Sequence, residues 1–112
     1  SELKGTFVDY LKKDGRTNTS AIVPADSAAN DKEAKLSKLE YEVISYDEVK
    51  DITHVRIHLI TGRHHQIRVQ FASRNQQWHL KEIRLRCVQS HLLLIIRHTL
   101  LHRILRKIDE LQ

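Results

Sequence analysis

The 112-residue sequence has few of the residues that cross-link, bend or stiffen a chain. Its single cysteine, Cys87, excludes an intrachain disulfide and a cysteine-based zinc site, and favours a reducing, cytoplasmic setting. Aromatic residues make up only 5% of the chain, so we expect a mostly aliphatic core. The longest apolar run, Leu92 to Ile96, is too short to span a bilayer, and the N-terminal residues lack a signal-peptide pattern. We therefore expect a protein that is neither secreted nor membrane-spanning.

Turn-forming residues are confined to the first part of the chain. All three glycines and the only proline lie within the first 62 residues, which leaves the final fifty without either type. Polar residues around Gly15 predict a turn at 12–18, and the composition of 24–38 is typical of a flexible loop. A short strand is expected between them, at 21–23.

Positive charge is in excess and unevenly distributed. The net charge is +5 and the pI about 9.6, which indicates an anionic partner such as nucleic acid or a membrane surface. Residues 1–74 hold 12 Lys and Arg against 11 Asp and Glu, whereas residues 75–112 hold 7 against 3. The two parts of the chain therefore differ in character.

Hydrophobic periodicity predicts strands first and a helix afterwards. Apolar and polar residues alternate over 39–44, 55–60 and 67–71, which predicts three antiparallel strands joined by short turns. Further on, apolar residues recur at spacings of three and four, which predicts an amphipathic helix. They are Leu93, Ile96, Leu100, Ile104, Ile108 and Leu111. We therefore expect an α+β fold, with an antiparallel sheet of three or four strands and the C-terminal helix packed on one face.

The helix is expected to bury Leu93, Ile96, Leu100 and Ile104 against the sheet, because the sheet would otherwise expose one apolar face to water.

One stretch carries a specific resemblance. Residues 59–72 read Leu-Ile-Thr-Gly-Arg-His-His-Gln-Ile-Arg-Val-Gln-Phe-Ala. They closely resemble the Leu-x-Thr-Gly-Arg-Thr-His-Gln-Ile-Arg-Val-His motif of RluA-type pseudouridine synthases. The departures are His64, where that family usually has Thr or Ser, and Gln70, where it often has His. With weaker similarity upstream, the resemblance covers about residues 5–74, the C-terminal part of the catalytic domain.

The resemblance implies an isomerase that converts uridine to pseudouridine in ribosomal or transfer RNA, without a metal or organic cofactor. Gly62 is expected to turn the backbone sharply, since glycine reaches positive φ without steric cost. Arg63 offers a planar fork of donors for a phosphate or a base edge. The predicted RNA-binding residues are Gly62, Arg63, His64, His65 and Gln66. In the family, the arginine that matches Arg68 pairs with the catalytic aspartate, so Arg68 is the candidate catalytic residue.

The family's His-Arg-Leu-Asp-type motif, which carries that aspartate, does not occur in this sequence. We therefore expect the chain to keep RNA contact but to be inactive alone. The family's Gly-Asp-x-Lys-Tyr-Gly stretch also fails to follow Arg74. We accordingly treat 1–74 as a partial catalytic domain, and 75–112 as a basic, helix-prone tail from an altered reading frame or a gene fusion.

Other functions are less well supported by the residues. His98 and His102 have a spacing that could clamp a metal on a helix, but no acidic third ligand is near in sequence, so no metal site is expected. Two further alternatives stay open. The chain is either a non-catalytic RNA-binding module or a partner-assembled protein that forms oligomers through its C-terminal helix.

Overall fold

The computed structural model describes residues 3–111. Its strands are β1 (Lys4–Asp14), β2 (Thr19–Val23), β3 (Lys35–Asp47), β4 (Ile52–Leu59), β5 (Leu80–Val88) and β6 (His91–His98). Its helices are α1 (Ala25–Ala28), α2 (Gln66–Ala72), α3 (Asn75–Trp78) and α4 (Leu100–Glu110). Among these helices, none has the length and apolar character needed to cross a membrane.

All six strands form one antiparallel sheet in the order β2-β1-β3-β4-β6-β5, curled into a half-barrel. Strands account for 50% of the structure and helices for 24%, so the fold is mostly β. The expectation of an α+β fold with three or four strands was wrong. The extra strands come largely from the C-terminal segment, which contributes the β5–β6 hairpin.

Strand β6 of the β5–β6 hairpin replaces the first part of the expected C-terminal helix. Gln89 and Ser90 both adopt positive φ, 50° and 69°, and join Val88 to its partner His91, as in tight two-residue hairpins. β6 lies between β4 and β5, and its residues Leu94 and Ile96 are 0% exposed. A short apolar run fits a buried central strand as well as a helix, and periodicity alone cannot separate the two.

The third expected strand, at 67–71, is instead helix α2. Four of its residues are buried: Gln66, Ile67, Gln70 and Phe71. Positions 66, 67, 70 and 71 lie on one face of a helix. In the expected strand, by contrast, the two glutamines would have been on the polar face. One polar atom of each amide is paired inside the protein, Gln66 Oε1 with Thr61 and Gln70 Nε2 with Asp9, while Gln66 Nε2 and Gln70 Oε1 have no partner among the described residues.

Aromatic side chains lie at the centre of a core that is otherwise aliphatic. The buried cluster contains Phe7, Leu39, Val55, Ile57, Ile67, Phe71, Leu94 and Ile96. Phe7, Tyr41, Phe71 and Trp78 make mutual ring contacts with centroids 4.9 to 6.5 Å apart. Since Trp78 and β6 both belong to 75–112, this segment shares one core with the preceding strands.

Helix α4 meets the sheet through polar side chains. His102 Nδ1 lies 2.7 Å from Asp51 Oδ1, and the Arg106 guanidinium lies 4.2 Å above the Tyr46 ring. Leu100 is 70% exposed and Ile104 47%, so the expected burial of these residues against the sheet was wrong. The strand β6 uses the apolar residues before Thr99 for the core, which leaves α4 at the rim.

We predict that Leu94→Ala will lower the free energy of unfolding by about 2–5 kcal/mol, because it opens a cavity in a fully buried position of β6. Urea unfolding measures this change. Leu85→Ala, at a 43% exposed position on the neighbouring strand β5, is the control and should have a clearly smaller effect. Equal stability of the two variants would show that the C-terminal hairpin is not packed as described.

Candidate functional site

The sequence motif forms a corner where β4 ends and α2 begins, and the corner is tied to β3. The backbone N–H groups of Ile60 and Thr61 both donate to the Lys38 carbonyl, at 3.0 and 3.1 Å. In return, the Lys38 N–H donates to the Thr61 hydroxyl oxygen at 2.9 Å. These bonds fix the start of the corner against the sheet.

The buried side chain of Gln66 joins the two parts of the corner by hydrogen bonds. Its side chain is turned inward, and the residue is only 2% exposed. Its Oε1 accepts hydrogen bonds from the Thr61 hydroxyl at 2.8 Å and from the Arg63 N–H at 2.9 Å. The Nε2 is buried and has no hydrogen-bond partner in residues 3–111. Its contact with RNA stays a prediction, while the structure gives this side chain the task of holding the turn.

The left-handed residue of the corner is His65, not Gly62. His65 has φ 53° and ψ 25°, whereas no glycine in the described chain has positive φ. The predicted role of Gly62 as the sharply turning residue was therefore wrong. A Cβ atom placed on Gly62 would meet nothing within 4 Å, so glycine at this position leaves open space on the protein surface.

Arg63 and His64 are held by bonds to neighbouring strands. Arg63 Nε donates to the Leu36 carbonyl at 3.1 Å, and His64 Nδ1 lies 3.0 Å from the Ser20 hydroxyl. The His64 ring stacks on His65 at 3.8 Å. Desolvation, and then the positive charges of His65 and Lys13, lower the pKa of His64 below its ordinary value of 6.5. The lowered pKa favours the neutral, hydrogen-bonding form of His64.

A depression of about 550 Å³ lies beside the corner, and we call it the basic depression. Its charged lining consists of Lys13, Lys32, Lys35, Arg63 and Glu33. Gly62 and His64 also line it. Four cationic groups around one carboxylate make the basic depression complementary to an anion. Sequence reasoning missed the three lysines, because they come from separate segments: Lys13 from β1, Lys32 from the loop between α1 and β3, and Lys35 from β3.

Arg68 lies outside the basic depression. It is exposed on α2, and its side chain has no ion-pair or hydrogen-bond partner in the described part of the chain. The structure thus brings together Gly62, Arg63 and His64 in the lining of the basic depression, and the His65 ring stacks on His64, but Arg68 is not part of that lining. The catalytic role of Arg68 stays a prediction.

A partly buried ion pair anchors the other end of α2. Asp9 of β1 receives two bonds from the Arg74 guanidinium, at 2.9 and 3.2 Å, and one from Gln70 Nε2 at 2.8 Å. The guanidinium also lies 3.9 Å from the centre of the Phe7 ring. Sequence patterns did not reveal this pair, since its members are 65 residues apart.

A family model described as RNA pseudouridylate synthase matches residues 1–73. The chain belongs to this family. The match ends just after α2, so it covers the corner and its supporting strands but not the β5–β6 hairpin or α4. No curated protein and no solved structure matches the chain. The resemblance to pseudouridine synthases is thereby confirmed at the level of the family.

The Asp9–Arg74 pair gives a second prediction. Asp9→Asn leaves the Arg74 cation, which is 23% exposed, without an opposite charge and weakens charge-assisted hydrogen bonds, and should destabilise this synthase-family fold by roughly 2 kcal/mol. Urea unfolding again provides the measurement. Glu82→Gln, which breaks the exposed pair with Arg84, is the matched control and should change little. If Asp9→Asn is as harmless as the control, the pair does not anchor α2.

Proposed function

We propose that this chain is the RNA-facing part of an RluA-type pseudouridine synthase, which binds structured ribosomal or transfer RNA through the basic depression. The observation that supports this most directly is the gathering of Lys13, Lys32, Lys35 and Arg63 beside the family motif. Phosphate contacts of this kind dominate the affinity of proteins for nucleic acids. On this proposal the protein acts in the cytoplasm.

The corner is suited to a phosphate of the RNA backbone. Arg63 is exposed, and its bond to Leu36 uses only one of its five N–H donors. The open space over Gly62 lets a phosphate approach the main chain closely, which a larger side chain would hinder. Gln66 acts as a positioning residue, because it holds Thr61 and the Arg63 backbone in place without being exposed.

Catalysis in the family requires an aspartate in a His-Arg-Leu-Asp-type motif, and this motif does not occur in the 112 residues. In the family, the arginine at the position of Arg68 keeps the catalytic aspartate ionised beside a flipped-out uridine. Here Arg68 is exposed without an acidic partner among the described residues. We propose that it marks one half of the catalytic site and that the chain does not isomerise uridine alone.

Partner assembly is a second candidate function, favoured by the exposed apolar side of α4. The large apolar side chains exposed there are Leu100, Leu101, Ile104, Leu105 and Ile108. Contiguous apolar surface of this kind marks interaction sites. A mass that rises with protein concentration in light scattering, without RNA, distinguishes this function from a monomeric RNA-binding module.

For RNA binding, we predict that Arg63→Gln and Lys35→Gln will each weaken the affinity for a transfer RNA transcript about tenfold at low salt. The slope of log affinity against log salt concentration should fall by about one unit for each variant, because each loses one phosphate contact. Fluorescence anisotropy over a salt series measures both quantities.

The control for these variants is Lys81→Gln on β5, at the opposite edge of the sheet from β2 and outside the lining of the basic depression. It changes the net charge equally and should leave affinity nearly unchanged. Equal losses in all three variants would show that binding follows net charge and not this surface.

For catalysis, we predict no tritium release above background when the chain alone is incubated with RNA labelled at C5 of uridine. Loss of that hydrogen accompanies isomerisation, so release reports the chemical step directly. Turnover that disappears in Arg68→Gln would contradict the proposed inactivity, and would show that Arg68 takes part in the reaction.

A further inference from the structure

A second group of polar side chains lies near the start of β4, at the opposite end of this strand from the corner. Residues from three parts of the chain meet there. Asp51 precedes β4, His98 ends β6, and His102 lies in the first turn of α4. One ligand atom from each residue can be chosen so that all three lie within 4.8 Å of one another. The rings of His98 and His102 are stacked at 3.9 Å.

We propose that Asp51, His98 and His102 form a binding site for a divalent transition-metal ion, with Zn²⁺ as the best-fitting ion; His79, which lies outside this group of three, would have to move closer to serve as a fourth ligand. Imidazole nitrogens with one carboxylate oxygen are a donor set that Zn²⁺ takes in tetrahedral sites. This inference does not depend on the RNA-binding function, because none of the four residues lines the basic depression.

The hydrogen bonds around His98 prepare one of its nitrogens for a metal. His98 Nδ1 lies 2.7 Å from the Trp78 carbonyl oxygen, which can only accept, so Nδ1 carries the proton. His98 Nε2 therefore has a lone pair, which accepts a hydrogen bond from the Thr53 hydroxyl at 2.5 Å. A backbone carbonyl on the outer nitrogen is the usual arrangement behind a metal-binding histidine. A metal ion at Nε2 would displace a single hydroxyl.

The Asp51 carboxylate is also held in place. Its Oδ1 accepts hydrogen bonds from the Tyr46 hydroxyl at 2.5 Å and from His102 Nδ1 at 2.7 Å. Asp51 is a buried residue, and His102 is 18% exposed at its side chain. An ion bound between Asp51 Oδ1 and His102 Nδ1 would replace this hydrogen bond, and the proton of the neutral His102 ring would then lie on Nε2.

His79 supplies an independent observation. Its Nδ1 is buried and has no hydrogen-bond partner among residues 3–111, and its ring centre lies 5.6 Å from that of His102. Buried polar atoms of this kind normally have a partner, so an unpaired one calls for an explanation. The His79 carbonyl accepts the Thr99 N–H at 2.8 Å, which ties His79 to the start of α4. A metal ion gives the unpaired nitrogen a partner.

The spacing of the donors requires modest adjustment. Tetrahedral Zn²⁺ with bonds near 2.0–2.1 Å places its ligand atoms about 3.3 Å apart. The separation of 2.7 Å between Asp51 Oδ1 and His102 Nδ1 must widen, and the separations that reach toward 4.8 Å must shorten. The His98 and His102 rings, now stacked with 19° between their planes, must also turn relative to each other, because a metal ion lies in the plane of each imidazole that binds it.

The position of α4 gives the proposed ion a structural task. None of the residues of α4 is buried, and the helix contacts the sheet through His102, Arg103 and Arg106. Apolar packing therefore does not hold this helix. A metal ion shared by Asp51, His98 and His102 would link α4 to both β4 and β6.

The test is a calorimetric titration of Zn²⁺ into the full chain after treatment with a chelator. We expect one equivalent to bind with a dissociation constant of about 1 µM or tighter. Asp51→Asn and His102→Gln should each weaken binding at least tenfold. The matched control is His91→Gln, which removes an exposed histidine from the other end of β6 and should bind Zn²⁺ as the original chain does.

Absence of binding by the folded chain would overturn the proposal, as would unchanged binding in Asp51→Asn and His102→Gln. Should these variants fail to fold, Co²⁺ in the unaltered chain decides the question. Intense visible absorption from tetrahedral, nitrogen-ligated Co²⁺ supports the site, whereas the weak spectrum of octahedral, hydrated Co²⁺ shows that these side chains form only a hydrogen-bonded cluster.

Discussion

Phe71 of α2 packs edge-on against Phe7 of β1, with ring centres 4.9 Å apart, and the position of α2 depends on this contact. The helix carries Gln66 at one end, where the amide closes the corner, and Gln70 toward the other, where the amide meets Asp9. Because protein interiors are close-packed, a shift of Phe71 would move both amides from their partners. The geometry of the candidate site therefore rests on an apolar contact that lies outside it.

The same aromatic contact draws the C-terminal segment into the fold. Trp78 lies 5.1 Å from Phe71 and 5.3 Å from Tyr41, although it falls outside the part of the chain that matches the synthase family. Without the β5–β6 hairpin, β4 would become an exposed edge, and Val55 and Ile57 would lose the cover of β6. The origin of 75–112 in another reading frame or a fusion stays a prediction, but a packing role for the segment follows from these contacts.

Local alternation located β3 and β4, and the motif identified the family, because both kinds of signal lie within a few consecutive residues. Hydrophobic periodicity predicted the wrong element where one stretch is compatible with both a strand and a helix, as at Ile67 to Phe71 and at Leu92 to Ile96. In both places, tertiary partners decided the outcome: buried amide bonds for α2, and flanking strands for β6. The Asp51–His102 contact joins residues 51 positions apart, which no local pattern can indicate.

The composition of the basic depression limits what the proposed RNA contact can achieve. Three of its four cations are lysines, which act as point charges, and only Arg63 has the planar fork that reads a base edge or a phosphate in a fixed geometry. Contacts to phosphate fix the register of a nucleic acid but carry little sequence information. On the proposed function, selection of the target uridine would therefore depend on groups outside the basic depression, and this surface would hold the RNA in place.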